Sequence, residues 1–187
     1  GDEVIVFEPV YDSYVPAIET VGGTAVFAQL KFPDYAPDWA QVAQLISPKT
    51  RLIIINSPHN PTGSLLTAVD LEKLANLLRG TDIVVLSDEV YEHILFDGEQ
   101  HASLCAHAEL AQRSIVVSSF GKTYHITGWK IGYVVGPADL MAEFRKVHQF
   151  NVFTVHTPSQ LALAEYMQDA SRHLGLAAFY QEKRDFF

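Results

Sequence analysis

Short apolar runs alternate along the chain with longer stretches whose apolar residues recur at helical spacing. Val4-Ile5-Val6-Phe7, Leu52-Ile53-Ile54-Ile55 after Arg51, Ile83-Val84-Val85-Leu86 and Ile115-Val116-Val117 after Ser114 are short and almost wholly apolar. That pattern predicts strands covered on both faces rather than strands with one wet side. Residues 24–27 and 132–135 are β-leaning as well. Between the strands, residues 11–21 predict a helix that stops at Gly22-Gly23, and Trp39, Val42, Ala43 and Ile46 mark one face of another. Thr67 with Asp70 three positions later forms a capping-box pattern, which opens a helix to Leu78. Residues 33–37 read as loop. Further helices are predicted over 138–149, over 159–167 and from about Leu174. This alternation predicts a three-layer α/β/α domain with a mostly parallel sheet. In such a sheet ligands bind beyond the carboxyl ends of the strands.

Length and composition narrow the class. The chain has 187 residues, 48% hydrophobic and 19% charged, enough for one domain with a sizeable core. Thirteen Lys+Arg against 22 Asp+Glu give a net charge of −9, which argues against nucleic acid or an anionic membrane as a partner. The single cysteine, Cys105, forms no internal disulfide, consistent with a reducing, cytoplasmic setting. No apolar run approaches a membrane span, and no signal-peptide pattern opens the chain. Strand-like sequence begins directly after Gly1-Asp2-Glu3, and the chain stops at Phe186-Phe187 within a helical pattern. Both ends predict a segment of a longer protein.

Four constellations follow predicted strand ends. The most informative is Ser119-Phe120-Gly121-Lys122, with Lys130 eight positions further on. A lysine amine at the end of a strand can form a Schiff base with a carbonyl cofactor, and Ser119 and Lys130 suit a phosphate. The segment also fits a solvated surface turn. Asn60 sits in Asn56-Ser57-Pro58-His59-Asn60-Pro61-Thr62-Gly63, where two X-Pro steps predict an extended loop and Gly63 a tight turn. An ordinary Pro/Gly turn accounts for the prolines but not for the Asn before one of them.

Asp88 ends the buried run at Ser87-Asp88-Glu89-Val90-Tyr91 and needs a cationic or donating partner. A protonated pyridine nitrogen would serve, as would a role capping the next helix. Tyr91 lies one helical turn on, and its hydroxyl can donate to a phenolate oxygen. Glu89 and Glu92 read as exposed. Tyr11, in Glu8-Pro9-Val10-Tyr11-Asp12-Ser13-Tyr14, can stack on a flat ring or pack in the core. The eight histidines show no metal-ligand spacing, so no metal site is predicted, and no G-x-S-x-G motif occurs.

Jointly these segments resemble the fold-type-I, pyridoxal-phosphate (PLP) dependent aminotransferases of class I/II. Asn60-Pro61-Thr62-Gly63, Asp88 with Tyr91, and Ser119-Phe120-Gly121-Lys122 followed by Gly128-Trp129-Lys130-Ile131-Gly132-Tyr133 occur in the family's order over essentially the whole chain. Glu8 to Tyr14 and Gly121-Lys122-Thr123 make the methionine, glutamine and kynurenine aminotransferase branch the nearest likeness.

The resemblance implies that Lys122 holds PLP as a Schiff base and moves the substrate proton, and that Asp88 pairs with the ring nitrogen. It further implies that Asn60 and Tyr91 bond the phenolate oxygen, Tyr11 stacks on the ring, and Ser119 and Lys130 contact the phosphate. Most of the family has Arg where this chain has Lys130, which implies a looser clamp. The resemblance also implies that residues 1–170 are an incomplete large PLP domain and that 171–187 begin a connecting helix. The Gly-rich phosphate turn and the substrate-carboxylate arginine then lie outside the chain, and the segment alone is inactive. The implied partners are an L-amino acid and a 2-oxo acid, in a homodimeric parent. Two other functions fit the same residues: a PLP-dependent carbon–sulfur β-lyase, and a non-catalytic PLP-sensing domain.

Overall fold

The computed structural model describes all 187 residues. Six strands, β1 (Glu3–Glu8), β2 (Thr24–Gln29), β3 (Thr50–Asn56), β4 (Val84–Asp88), β5 (Ser114–Ser119) and β6 (Gly132–Val135), form one sheet in the order β2-β1-β3-β4-β5-β6. Every neighbouring pair is parallel except β5 with β6, which is antiparallel. Helices α1 (Tyr14–Thr20), α2 (Trp39–Leu45), α3 (Ala68–Leu78), α4 (Ala108–Ala111) and α5 (Phe120–Thr123) connect the strands. Helices α6 (Ala138–Asn151), α7 (Thr157–Tyr166), α8 (Ser171–Leu174) and α9 (Leu176–Phe186) follow the sheet.

Alternation along each buried strand divides the core in two, because successive side chains leave opposite faces. Ile5, Phe7, Ile53, Ile55, Val85 and Val116 face α2, α3 and α4 and pack with Val42, Leu71, Leu74, Leu78 and Leu110. Val4, Val6 and Ile54 face the other way and pack with Ile18 of α1. With helices on both sides, neither face offers a polar row, which is why the strand sequences are so uniformly apolar. The predicted capping box is present: Thr67 Oγ1 accepts from Asp70 N–H, and Asp70 Oδ2 accepts from Thr67 N–H at 2.9 Å.

The chain runs from β1 outward to β2, then returns past β1 to β3 and continues the other way. Strand order therefore reverses at β1, and the crevice between the ends of β1 and β3 is where such a sheet opens for a ligand. Leu74 of α3 is fully buried in the larger half of the core. Leu74→Ala is expected to lower unfolding free energy by about 2–5 kcal/mol, and Thr67→Ala by about 1 kcal/mol, in urea titrations of the whole protein.

Candidate active site

The parallel register brings polar side chains to one edge. Asn56, Asp88 and Val117 stand opposite one another on β3, β4 and β5. Tyr11 follows β1, Asn60 follows β3, Tyr91 follows β4, Ser119 ends β5 and Lys122 follows it in α5. Tyr11, Asn60, Asp88, Tyr91, Ser119 and Lys122 all line one cleft of about 270 Å³. Lys130 does not. It lies exposed between a 3-10 turn and β6, in the left-handed region at φ 55°.

Each side chain has a local cause. Ser119 caps the single turn of α5 by accepting from Gly121 N–H at 3.0 Å, which starts the turn that projects Lys122. Lys122 Nζ lies 5.7 Å from the centre of the Tyr91 ring. No helix follows Asp88. Its Oδ1 instead accepts from Val90 N–H at 3.2 Å, and the chain turns, with Glu92 N–H donating to Glu89 O at 3.0 Å. The capping alternative is therefore not realised, and Tyr91 reaches the cleft from a turn rather than a helix. The Asn60 loop is compact, not extended as the prolines suggest. His59 N–H donates to Ser64 O at 2.9 Å, and Gly63 turns the chain at φ 75°.

Two residues missed in the sequence hold the cleft together. Tyr14, the first residue of α1, donates its hydroxyl to Asp88 Oδ2 at 2.5 Å. Burial, then the charge of Asp88, push the Tyr14 phenol far above its ordinary range, so it remains a donor. Tyr11 meets Tyr14 edge-on, with ring centres 5.4 Å apart, leaving Tyr11 on the open side of the cleft. Asn56 is the second. Its Nδ2 donates to Asp88 O at 2.9 Å, and its Oδ1 accepts from Asn60 N–H at 2.7 Å. A polar residue closing a buried strand must find such partners, and that was the one signal for it in the sequence.

The expectation that Glu89 and Glu92 are exposed is wrong. Glu89 is 1% exposed, and its carboxylate accepts from Ser87 Oγ at 2.9 Å and from Leu104 N–H at 3.1 Å, with His101 Nε2 at 2.8 Å. The loop carrying His101 and Leu104 folds over the end of β4, a contact that local sequence does not encode. Glu92 is half-buried and hydrogen-bonded to Ser118 and Tyr133.

The cleft suits a group with an aldehyde, a basic ring nitrogen, a phenolate oxygen and a phosphate. It offers a primary amine, a carboxylate, an amide and a phenol, and one aromatic face. Ser119 Oγ is 3.5 Å from Ile131 O, a contact long enough to leave its hydroxyl free for a phosphate oxygen.

Burial raises the pKa of Glu89, but donors from His101 and Leu104 outweigh it and hold the group below the usual carboxylate range. A depressed folded value contributes stability that is complete above the ordinary glutamate value of about 4.3 and is lost as pH falls through the lower folded value. Glu89→Gln is expected to lower the thermal midpoint at neutral pH and to flatten its acid limb, as read by calorimetry from neutral to acid pH.

Similarity to known proteins agrees with this arrangement. The family described as aminotransferase class I and II matches over residues 1–187. The methionine aminotransferase of Escherichia coli strain K12 is 51% identical over 99% of this chain and 48% of its own length. Kynurenine–oxoglutarate transaminase 1 of Rattus norvegicus is 38% identical over 96% of this chain and 45% of its own. Among solved structures, Escherichia coli YbdL, identified with a methionine aminotransferase function, superimposes with a TM-score of 0.97 at 50% identity, covering 99% of this chain and 49% of that one. N-succinyldiaminopimelate aminotransferase from Mycobacterium tuberculosis gives 0.92 at 39% identity, over 99% and 49%. The chain thus spans about half the length of the relatives it matches. With the model matched from end to end and the relatives so similar, the chain belongs to the class I and II aminotransferases, a PLP-dependent family.

Proposed function

We propose that the whole protein moves the amino group of an L-amino acid to a 2-oxo acid, with Lys122 as the residue that holds the cofactor and shuttles the substrate proton. The observation that carries this reading is the convergence of Lys122, Asp88 and Tyr91 on one cleft. When bound, PLP supplies an electron sink for the charge left when the substrate loses its Cα proton. The chain's own residues do the rest. Lys122 Nζ would tether the cofactor and would take and return the proton at the substrate's Cα. Asp88, held by Tyr14 and by Val90 N–H, would keep the ring nitrogen protonated. Tyr91 and Asn60 would donate to the phenolate oxygen, Tyr11 would cover the ring, and Ser119 would bind the phosphate. Lys130, which the resemblance assigns to the phosphate, does not line the cleft, and Ser119 is the phosphate ligand of this reading.

The likeness to methionine aminotransferase supports methionine as a donor. Residues 1–170 act in this reading as the cofactor-binding unit of a homodimeric enzyme, and 171–187 begin the link to a further domain. In α9, Arg184 grips Asp97 with two contacts, of 2.6 and 2.7 Å, which fastens that link to the loop after β4. No helix is long and apolar enough to cross a membrane.

The whole protein given PLP is expected to show a visible absorbance band that borohydride freezes onto Lys122, and Lys122→Ala to show none. Labelling of another lysine, found by peptide mass mapping, defeats the assignment. With methionine, a 2-oxo acid product that depends on a 2-oxo acid acceptor supports amino transfer, whereas release of thiol without an acceptor identifies a lyase. Tyr14→Phe removes the donor to Asp88 Oδ2 while leaving the Lys122 tether. It is expected to keep the band and lower kcat by about tenfold, in keeping with the roughly 1.5–3 kcal/mol of a hydrogen bond to a charged group, only part of which acts in the transition state. Asp88→Asn is expected to keep the band too and to slow turnover far more.

A further inference from the structure

Asp88 and Glu89 are neighbours that leave the end of β4 on opposite sides. Asp88 looks into the cleft, while Glu89 joins Ser87 on the far face. Tyr91 and Glu92 repeat this division. Glu92 Oε1 accepts from Ser118 Oγ at 2.8 Å and from Tyr133 OH at 2.6 Å. Ser118 stands on β5, in the strand that leads to Lys122, and Tyr133 is its register partner on β6. One carboxylate oxygen therefore ties three elements together: the turn carrying Asp88 and Tyr91, the strand leading to Lys122, and the edge strand.

The surroundings leave those two hydroxyls as the main support of Glu92. His93 Nε2 is 3.9 Å away, and burial lowers its pKa, which disfavours the charged ring. Glu89 and His101 place their ligand atoms within 4.8 Å of that of Glu92, but Glu89 is already engaged by His101, Ser87 and Leu104. Burial, then Glu92 itself, push the Tyr133 phenol up to about 12, so it stays protonated and donating at neutral pH.

We infer that Glu92 is a positioning residue of the reaction: through Ser118 and Tyr133 it sets the distance between the Tyr91 hydroxyl and the Lys122 amine. The inference rests on the aminotransferase reading above, in which both groups meet the same cofactor.

The test follows the pH midpoint of the visible band in the PLP-loaded whole protein. Tyr91→Phe is expected to shift that midpoint. Glu92→Ala is expected to shift it in the same direction by about half to one pH unit, the scale of one lost hydrogen bond, and to add nothing in the Tyr91→Phe background. Glu92→Gln keeps an oxygen that accepts from both hydroxyls and is expected to restore the wild-type midpoint. Should Glu92→Ala fail to fold, Tyr133→Phe and Ser118→Ala carry the measurement, each with a smaller shift of the same sign. A Tyr91→Phe shift with none in any Glu92, Ser118 or Tyr133 variant overturns the inference, as does full additivity with Tyr91→Phe. Absence of a visible band in the wild-type protein defeats the aminotransferase reading instead.

Discussion

The parallel register of β3, β4 and β5 is the constraint on which the cleft depends. Once Asn56 pairs with Asp88 and Asp88 with Val117, the strand ends lie level and the turns beyond them open on the same side. A slip of one residue would send Asp88 to the far face and Glu89 into the cleft, because side chains alternate strictly. The apolar residues hold that register. Leu86 must meet the α1 side of the core while Val85 meets α3, and a shifted strand would satisfy neither.

The end of β4 thus divides its labour between two faces. Toward the cleft it presents a carboxylate whose partners are a phenol and one backbone N–H. Away from the cleft, Glu89 and Glu92 spend their hydrogen-bonding capacity on fixing the turn. A buried carboxylate with too few donors is costly, and Glu89 avoids that by collecting donors from its own strand and from a loop twelve or more residues away. The turn after β4 is thereby hydrogen-bonded to its own strand, to β5, to β6 and to the loop over the sheet, as a site that must hold several groups in fixed relation requires.

Most of the architecture was legible in the residues themselves. Runs such as Leu52 to Ile55 announced strands buried on both faces, and Thr67 with Asp70 announced the start of α3 to the residue. The cleft residues were legible because they follow strand ends in order. What local pattern could not reveal was pairing at long range. Tyr14 is 74 residues from Asp88, and His101 reaches Glu89 only because a loop closes over the sheet. Glu89 and Glu92 look like solvated residues in sequence because charge next to an apolar run is normally exposed, and nothing nearby names their partners. Lys130 shows the converse. Motif spacing groups it with Ser119, but a 3-10 turn and a left-handed backbone carry it out of the cleft lining.

The glycine that opens β6 connects the two faces. A Cβ on Gly132 would lie 2.5 Å from Ser118 O, closer than any side chain tolerates. Only glycine therefore lets β6 approach β5 at that level, with Gly132 opposite Ser119 and Tyr133 opposite Ser118. That close approach delivers the Tyr133 hydroxyl to Glu92, and through Glu92 it bears on the turn holding Tyr91. The antiparallel edge strand is thus more than a border to the sheet. Its first residue sets how near the strand may come, and its second turns that nearness into a hydrogen bond behind the cleft. A residue with no side chain thereby acts on the geometry between a phenol and an amine that it never touches.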